Sequence, residues 1–326
     1  MGSGVSGNTN GAGVPDAFRR RLAFSRDRKD QKWRRAISSE PSPANHLQQN
    51  EQPGAGALIR YRETVRPLRV ISWNVNGIRA CVRKGMVDWL RRARADIVGL
   101  QEVRAFAVDI PEAIRRSRWH TRYAPAVKPG YSGVALLSRT APDAVEATLA
   151  PRFDIEGRML LGRYGNLLVC SAYFPKGDGP NRDLSRIPYK LAFYRAMLRQ
   201  LEPFRARGER ILVVGDFNTA HKEIDLARPR QNVENSGFRP EERRAFDKWI
   251  RAGWVDTFRA FHTEGGHYTW WSQRPGVRAR NVGWRIDYIL ASEAAMPFVQ
   301  RAFILPDVLG SDHCPVGVEL DPAAMR

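Results

Sequence analysis

Three polar clusters stand at the ends of apolar runs, Asn74 and Asn76 after RVISW, Gln101 and Glu102 after DIVGL, and Asp216 and Asn218 after ILVVG, and a further one, Asp312 with His313, follows in GSDHCP. The ends of buried strands are rigid mounts for a site, and a hydrophobic core has no use for such groups. Asn and Asp also close turns and cap helices, so a single ending of this kind would mean little; the repetition carries the weight. The chemistry suggested is that of a hard cation and a phosphate. Oxygen donors such as Glu102, Asn74 and Asp312 suit Mg²⁺, whereas the thiolate or multi-histidine spacing of a zinc site is absent. A phosphodiester hydrolase must also orient or deprotonate water, stabilise charge on phosphorus and help an oxygen depart. His313, set between Asp312 and the strand-like stretch 315–320, is the best of six histidines for that work; His221, His262 and His267 read as loop residues.

The elements that must hold these groups are legible as short apolar runs bounded by turn residues. LRVISWN (68–74), DIVGLQ (96–101), GVALLS (133–138), NLLVCSAYF (166–174) and RILVVGDFN (210–218) read as buried strands. Helical spacing falls between them: 86–94 with Met86, Val87, Leu90 and Ala93 on one side; 189–204 with Leu191, Phe193, Tyr194, Met197, Leu198 and Leu201 inward; and about 240–252. Many strands, several helices and no long linker after residue 66 predict one layered α+β domain. Residues 1–65 are rich in Gly, Ser, Asn, Pro, Gln and Arg with sparse apolar side chains, and are expected to form a basic, mostly disordered N-terminal arm.

Composition narrows the partner. The chain of 326 residues carries 53 Lys and Arg against 34 Asp and Glu, a formal charge of +19. Eleven of those cations and six of the anions fall in residues 1–65, which leaves +14 on the remainder. A field of that sign concentrates polyanions, so nucleic acid leads as partner, although a merely solvated basic surface would have the same sign. The three cysteines, Cys81, Cys170 and Cys314, have neither disulfide pairing nor metal-ligand spacing, which implies a reducing compartment. No signal-peptide core or membrane-length apolar window occurs, so a soluble cytoplasmic, nucleoid-associated protein with no membrane partner is expected.

The chain resembles the exonuclease III family of abasic-site endonucleases, within the endonuclease/exonuclease/phosphatase superfamily. The motifs that carry the likeness are WNVNGIRA (73–80), LQE (100–102), GYSGVALLSR (130–139), EGR (156–158), AYFP (172–175), GDFN (215–218), NSGFRPEER (235–243), YTWW (268–271), VGWRIDY (282–288) and GSDHCP (310–315). They fall in the family's order over about 68–320. The resemblance implies a four-layered α/β-sandwich, two β-sheets face to face with helices outside, and a site at one edge. It implies Glu102 as the principal Mg²⁺ ligand (Mn²⁺ being a possible substitute), with Asn74, Asp312, Asp216, Asn218 and His313 around the metal shell. It further implies Asp216 activating or orienting water, Asn218 positioning that water and the phosphate, Tyr173 as a donor near the leaving group, and His313 held by Asp287 against a non-bridging oxygen.

Substrate choice follows from the aromatics. Trp270, Trp284 and Ile286 match positions lining a pocket for a flipped-out abasic sugar, which an apolar slot accepts while rejecting a nucleotide on size. Tyr131, Arg158, Asn232 and Asn235 match positions that grip the DNA backbone, and Arg79 with the Arg83–Lys84 pair would add phosphate contacts. The expected activity is Mg²⁺-dependent cleavage 5′ to abasic sites in double-stranded DNA, leaving a 3′-hydroxyl, with 3′-phosphodiesterase and 3′ to 5′ exonuclease activity at blocked ends, by a monomer. Departures at Asn76, at Lys176–Asp178 and at Arg228 and Arg274 keep a second reading open, a specialised 3′-end exonuclease or 3′-phosphatase. A non-catalytic basic DNA-binding protein is the third; it would require a broken catalytic set.

Overall fold

The near-continuous apolar runs fold as strands buried on both faces, the pattern expected where a sheet is covered from two sides. The computed structural model describes residues 66–179, 181 and 183–326. The basic arm expected over 1–65, and Arg182, lie outside those residues. In chain order the strands are β1 (Leu68–Asn74), β2 (Ile97–Gln101), β3 (His120–Ala124), β4 (Val134–Ser138), β5 (Ala144–Glu146), β6 (Met159–Tyr164) and β7 (Leu167–Tyr173). They continue with β8 (Arg210–Asp216), β9 (Trp254–Asp256), β10 (Trp270–Trp271), β11 (Gly283–Trp284), β12 (Asp287–Ser292), β13 (Val299–Ile304) and β14 (Val316–Leu320). The longer helices are α1 (Ile78–Arg83), α2 (Met86–Arg92), α3 (Ile187–Ala206) and α4 (Pro240–Arg251).

One six-stranded sheet has the order β13-β14-β1-β2-β4-β3 and the other β5-β6-β7-β8-β12-β9, with β10 and β11 as a separate two-stranded ribbon. The sheets pack face to face. Val70, Ile97 and Leu136 of the first share a core with Leu160, Val169, Leu212, Val214 and Ile289 of the second. Alternate residues of β1 and β2, namely Ile71, Trp73, Val98 and Leu100, turn the other way and pack with Ile78 and Cys81 of α1 and Met86 and Leu90 of α2. The outer face of the second sheet is covered by aromatics. Phe217 stacks on Phe174 with ring centroids 4.1 Å apart, and the pair is flanked by Phe193 and Tyr194 of α3 and by Phe246 and Trp249 of α4. Helix, sheet, sheet and helix make a four-layered α/β-sandwich.

The inter-sheet face changes character along its length. Apolar at one end, it becomes polar toward the other through Ser72, Gln101 and Ser171, which hydrogen-bond to one another with no exposure to solvent. Gly99 marks how closely the sheets approach there: a Cβ at this position would lie 2.5 Å from Cγ2 of Val214. Burying this polar ladder costs little because its members satisfy one another, and it leads directly to the strand ends where the chemistry-bearing residues sit.

Candidate active site

Strand direction and register place those residues at one edge of the sandwich. Asn74 ends β1 and pairs with Gln101 across the parallel β1–β2 ladder, so Glu102 follows at the same edge. Tyr173 ends β7 opposite Asp216 at the end of β8, and antiparallel β12 starts there because Asp287 pairs with Asp216. Residues opposite one another in adjacent strands point to the same face, so Tyr173, Asp216 and Asp287 face the other sheet, as Asn74 does from its side. His313 precedes β14, whose Val316 pairs with Ser72, and completes the edge.

The groups touch. Asn74 Nδ2 donates to Asp216 Oδ2 at 2.9 Å and to Glu102 Oε1 at 3.2 Å, and so spans the two sheets. Tyr173 donates its hydroxyl to Glu102 Oε1 at 2.5 Å, and Arg104 pairs with the other carboxylate oxygen. Asp216 accepts from the Asn218 backbone at 2.8 Å and from its Nδ2 at 3.1 Å, while the same Nδ2 donates to the Phe174 carbonyl at 2.9 Å. His313 Nδ1 lies 2.8 Å from Asp287 Oδ2, and Nε2 lies 3.9 Å from Asp216 Oδ2. Arg285 sits within two residues of Asp287 but pairs instead with Asp225 at 2.8 Å and Asp256 at 2.7 Å, leaving Asp287 to the histidine. Asp312 accepts from Asn76 Nδ2 at 2.8 Å and from Trp270 Nε1 at 3.1 Å.

Burial among like charges sets the proton affinities. Burial first, and then the nearby Asp287 carboxylate, push Asp216 up to about 7. For His313 burial works against the imidazolium, but the charge and hydrogen bond of Asp287, helped by Asp216 and Asp312, outweigh it and raise the imidazole to about 9. Burial would likewise raise Glu102, yet Lys176, Arg104 and the Tyr173 hydrogen bond hold its carboxyl below the usual range. Burial, and then Glu102, push Tyr173 well above a normal phenol, which keeps it a donor.

The donor set fits a hard divalent cation. Oxygen donors dominate: Asn74 links the Glu102 and Asp216 carboxylates, ligand atoms of Asp216, Asp287 and His313 lie within 4.8 Å of one another, and Asp287 Oδ1 is buried with no hydrogen-bond partner among the described residues. Several buried carboxylates crowded at one edge are stable together only if protons or cations offset them, and oxygen donors of this kind suit Mg²⁺.

The aromatic residues form an apolar cluster beside this edge. Ile286 is buried with Ala220, Leu226 and Phe238, and half-buried Trp270 and Trp284 pack against that cluster, their rings 6.4 Å apart at 81°. The β10–β11 ribbon and a bridge from Trp270 to His313 tie the cluster to the loop that carries His313. Gly237 packs closely against it: with φ +96 its backbone is left-handed, and a Cβ would meet the Asn218 carbonyl at 3.1 Å and the Trp284 ring at 3.2 Å. Leu226 and Phe238 had no sequence signal separating them from ordinary core; only their contact with the two tryptophans singles them out.

The remaining expected residues are spread around the rim. Arg79 is exposed and lines a cleft of about 280 Å³ with Arg83 and Arg104. Half-buried Asn232 receives a 2.8 Å hydrogen bond from exposed Asn235. Arg158 is only 3% exposed and spends its donors inside the protein, on Glu156, the Tyr173 carbonyl at 3.0 Å and the Tyr131 hydroxyl at 3.0 Å; it braces Tyr131. His221, read from sequence as a loop residue, is buried, stacks on Phe246 and lies 2.7 Å from Asp247. Burial lowers its proton affinity, so it serves the α4 core.

A two-sheet sandwich with an Asp–His pair, further carboxylates and an asparagine at one edge defines a class, and the comparison with known proteins agrees. Residues 71–313 match the model of the Endonuclease/Exonuclease/phosphatase family, and the chain belongs to that family. Within it, the protein is a hydrolase of the exodeoxyribonuclease III and AP endonuclease type. It is 39% identical over 252 residues to a Bacillus subtilis exodeoxyribonuclease, covering 76% of this chain and 98% of the relative. It is 36% identical over 257 residues to the DNA repair nuclease APEX1 of Danio rerio, covering 76% and 81%. The 3′-5′ exonuclease NExo of Neisseria meningitidis superposes with a TM-score of 0.70 at 27% identity, over 78% of this chain and all of that one.

Proposed function

We propose that the protein is a Mg²⁺-dependent DNA-repair phosphodiesterase that cuts 5′ to abasic sites in duplex DNA, leaving a 3′-hydroxyl, and that clears blocked 3′ ends at the same site. The observation that carries this reading is the juxtaposition of Asp216, Asn218 and the Asp287–His313 pair with the Trp270–Trp284–Ile286 cluster.

Glu102, with Asn74 and Asp312 beside it, would hold the metal, which when bound supplies charge to stabilise the phosphate oxygens and the departing oxygen. Asp216, with a proton affinity near neutrality, accepts the proton of the attacking water, and Asn218 fixes its carboxylate. His313, kept protonated by Asp287, donates to a non-bridging oxygen as negative charge builds there. Tyr173 remains a neutral donor toward the leaving side. Water adds at phosphorus, the bond from phosphorus to O3′ breaks, and O3′ leaves protonated. The Trp270–Trp284–Ile286 cluster receives the sugar that lacks a base; Tyr131 and Asn235 approach the backbone, and Arg79 and Arg83 offer charge along the flank.

A duplex with one tetrahydrofuran abasic analogue tests the reading. Incision is expected with Mg²⁺, abolished by EDTA and restored by added metal. Asp216→Asn should lower the rate by about 10²–10⁴-fold, and Trp284→Ala should slow abasic cleavage more than removal of a 3′-terminal nucleotide. An Asp216→Asn variant as fast as the parent would overturn the site assignment. The similarity to a protein titled a 3′-5′ exonuclease favours a second reading in which 3′-end processing dominates; a 3′-phosphate duplex turned over while the abasic duplex stays intact would select it.

A further inference from the structure

Several cations beside the carboxylates of the site are already engaged, while Arg79 and Arg83 line the flanking cleft. Arg104 pairs with Glu102, Arg158 and Arg186 with Glu156, and Lys190 with Glu242. Lys176 is exposed and forms no ion pair or hydrogen bond with another described side chain.

Its backbone, in contrast, is pinned. On one side, Phe174 donates its N–H to the Asp216 carbonyl at 2.8 Å and Asn218 Nδ2 donates to the Phe174 carbonyl at 2.9 Å. On the other, the Gly177 N–H donates to Ser236 Oγ at 2.9 Å, and Ser236 donates to Glu242, which is held by the fully buried Lys190. Gly177 also packs so closely that a Cβ there would lie 2.3 Å from Ile187 and 2.6 Å from Ser236. A free ammonium is thus carried on an immobilised stretch that is hydrogen-bonded to two site residues. Its field reaches the centre: against burial, which raises both groups, Lys176 acts to lower Glu102 and Asp216.

We propose that Lys176 is a substrate-binding residue that selects by charge, contacting the non-bridging oxygens of the phosphate held between Asp216 and His313 and favouring a terminal 3′-phosphomonoester over an internal phosphodiester. This rests on the phosphodiesterase reading above. A phosphomonoester has a second pKa near 6 and carries close to two charges at neutral pH, whereas a diester carries one; an added cation therefore favours the monoester. In the selected reaction water adds at phosphorus and the P–O3′ bond breaks with its electron pair on O3′. The protons of water are shared between the leaving oxygen and the phosphate, giving a 3′-hydroxyl and inorganic phosphate with no redox change.

The test compares wild type, Lys176→Gln and Lys176→Arg on a duplex ending in a 3′-phosphate and on a duplex with an internal tetrahydrofuran site. Mg²⁺ is saturating, so that any effect through Glu102 falls on both substrates alike. The ratio of kcat/KM for monoester to that for diester should fall by about tenfold or more in Lys176→Gln and recover in Lys176→Arg. In the wild type that ratio should decline as pH drops through about 6 and the monoester loses its second charge; in Lys176→Gln it should be flatter. Fluorescence anisotropy with Ca²⁺ in place of Mg²⁺ gives a readout apart from turnover: wild type should prefer the 3′-phosphate duplex to its 3′-hydroxyl counterpart, and Lys176→Gln should lose that preference. Equal loss on both substrates, or an unchanged ratio, overturns the assignment to Lys176. If wild type hydrolyses neither substrate, the underlying reading fails and takes this one with it.

Discussion

At the scale of single residues, the edge that gathers Asn74, Glu102, Asp216, Asp287 and His313 places groups where each alters the next. His313 holds its proton because Asp287 lies 2.8 Å away, and Asp287 is available because Arg285 is committed to Asp225 and Asp256. The pH dependence follows with a definite sign. An imidazole raised to about 9 is charged below that pH and loses its charge above it, so activity that depends on imidazolium falls as pH rises through about 9. Asp287→Asn removes the main groups raising the imidazole, and the alkaline limb of a kcat/KM profile should move down by at least about one pH unit. A limb that stays in place would detach His313 from the alkaline titration. Asn74, Glu102, Asp216 and Asn218 were named from sequence because their types cluster after apolar runs, and Tyr173 and Asp287 through the family resemblance; the commitment of Arg285 elsewhere was invisible, since Asp225 and Asp256 lie 60 and 29 positions away.

At the scale of elements, the strands and helices read from apolar runs and helical spacing are present at 68–74, 97–101, 134–138, 167–173, 210–216, 86–92, 187–206 and 240–251. Several others had no such signal. β10 and β11 have two residues each, and β6 and β12, MLLGRY and DYILAS, are interrupted by small or polar residues; they become strands because neighbours pair with them. On α4 the inward face belongs to Phe246 and Trp249, while Ile250 is 36% exposed. Two substitutions probe the scaffold. Gly99→Ala drives a Cβ into Val214 and should cost about 1–3 kcal/mol in denaturant unfolding. Lys190→Met leaves Glu242 buried and unpaired beneath the Asn218 loop, and should cost roughly 3–5 kcal/mol. A Lys190→Met protein as stable as wild type would show that Glu242 finds relief elsewhere.

At the scale of the whole molecule, charge governs encounter. With +14 on residues after 65, binding to duplex DNA should weaken steeply with salt: if about six phosphates are neutralised, affinity falls roughly 10³-fold between 50 and 200 mM. A flat salt response in a filter-binding or anisotropy titration would remove the electrostatic account of partner choice. The sequence by itself determined the residue types, the strand ends that carry them and the family they resemble, because hydrophobic period and motif order are local properties of the chain. Tertiary structure decided what no local pattern encodes. It selected which base Asp287 serves, which cations are spent in ion pairs, and which apolar residues pack with the tryptophans. Each of these depends on strand register and sheet packing, which bring residues more than two hundred positions apart, such as Asn76 and Asp312, into hydrogen-bond contact.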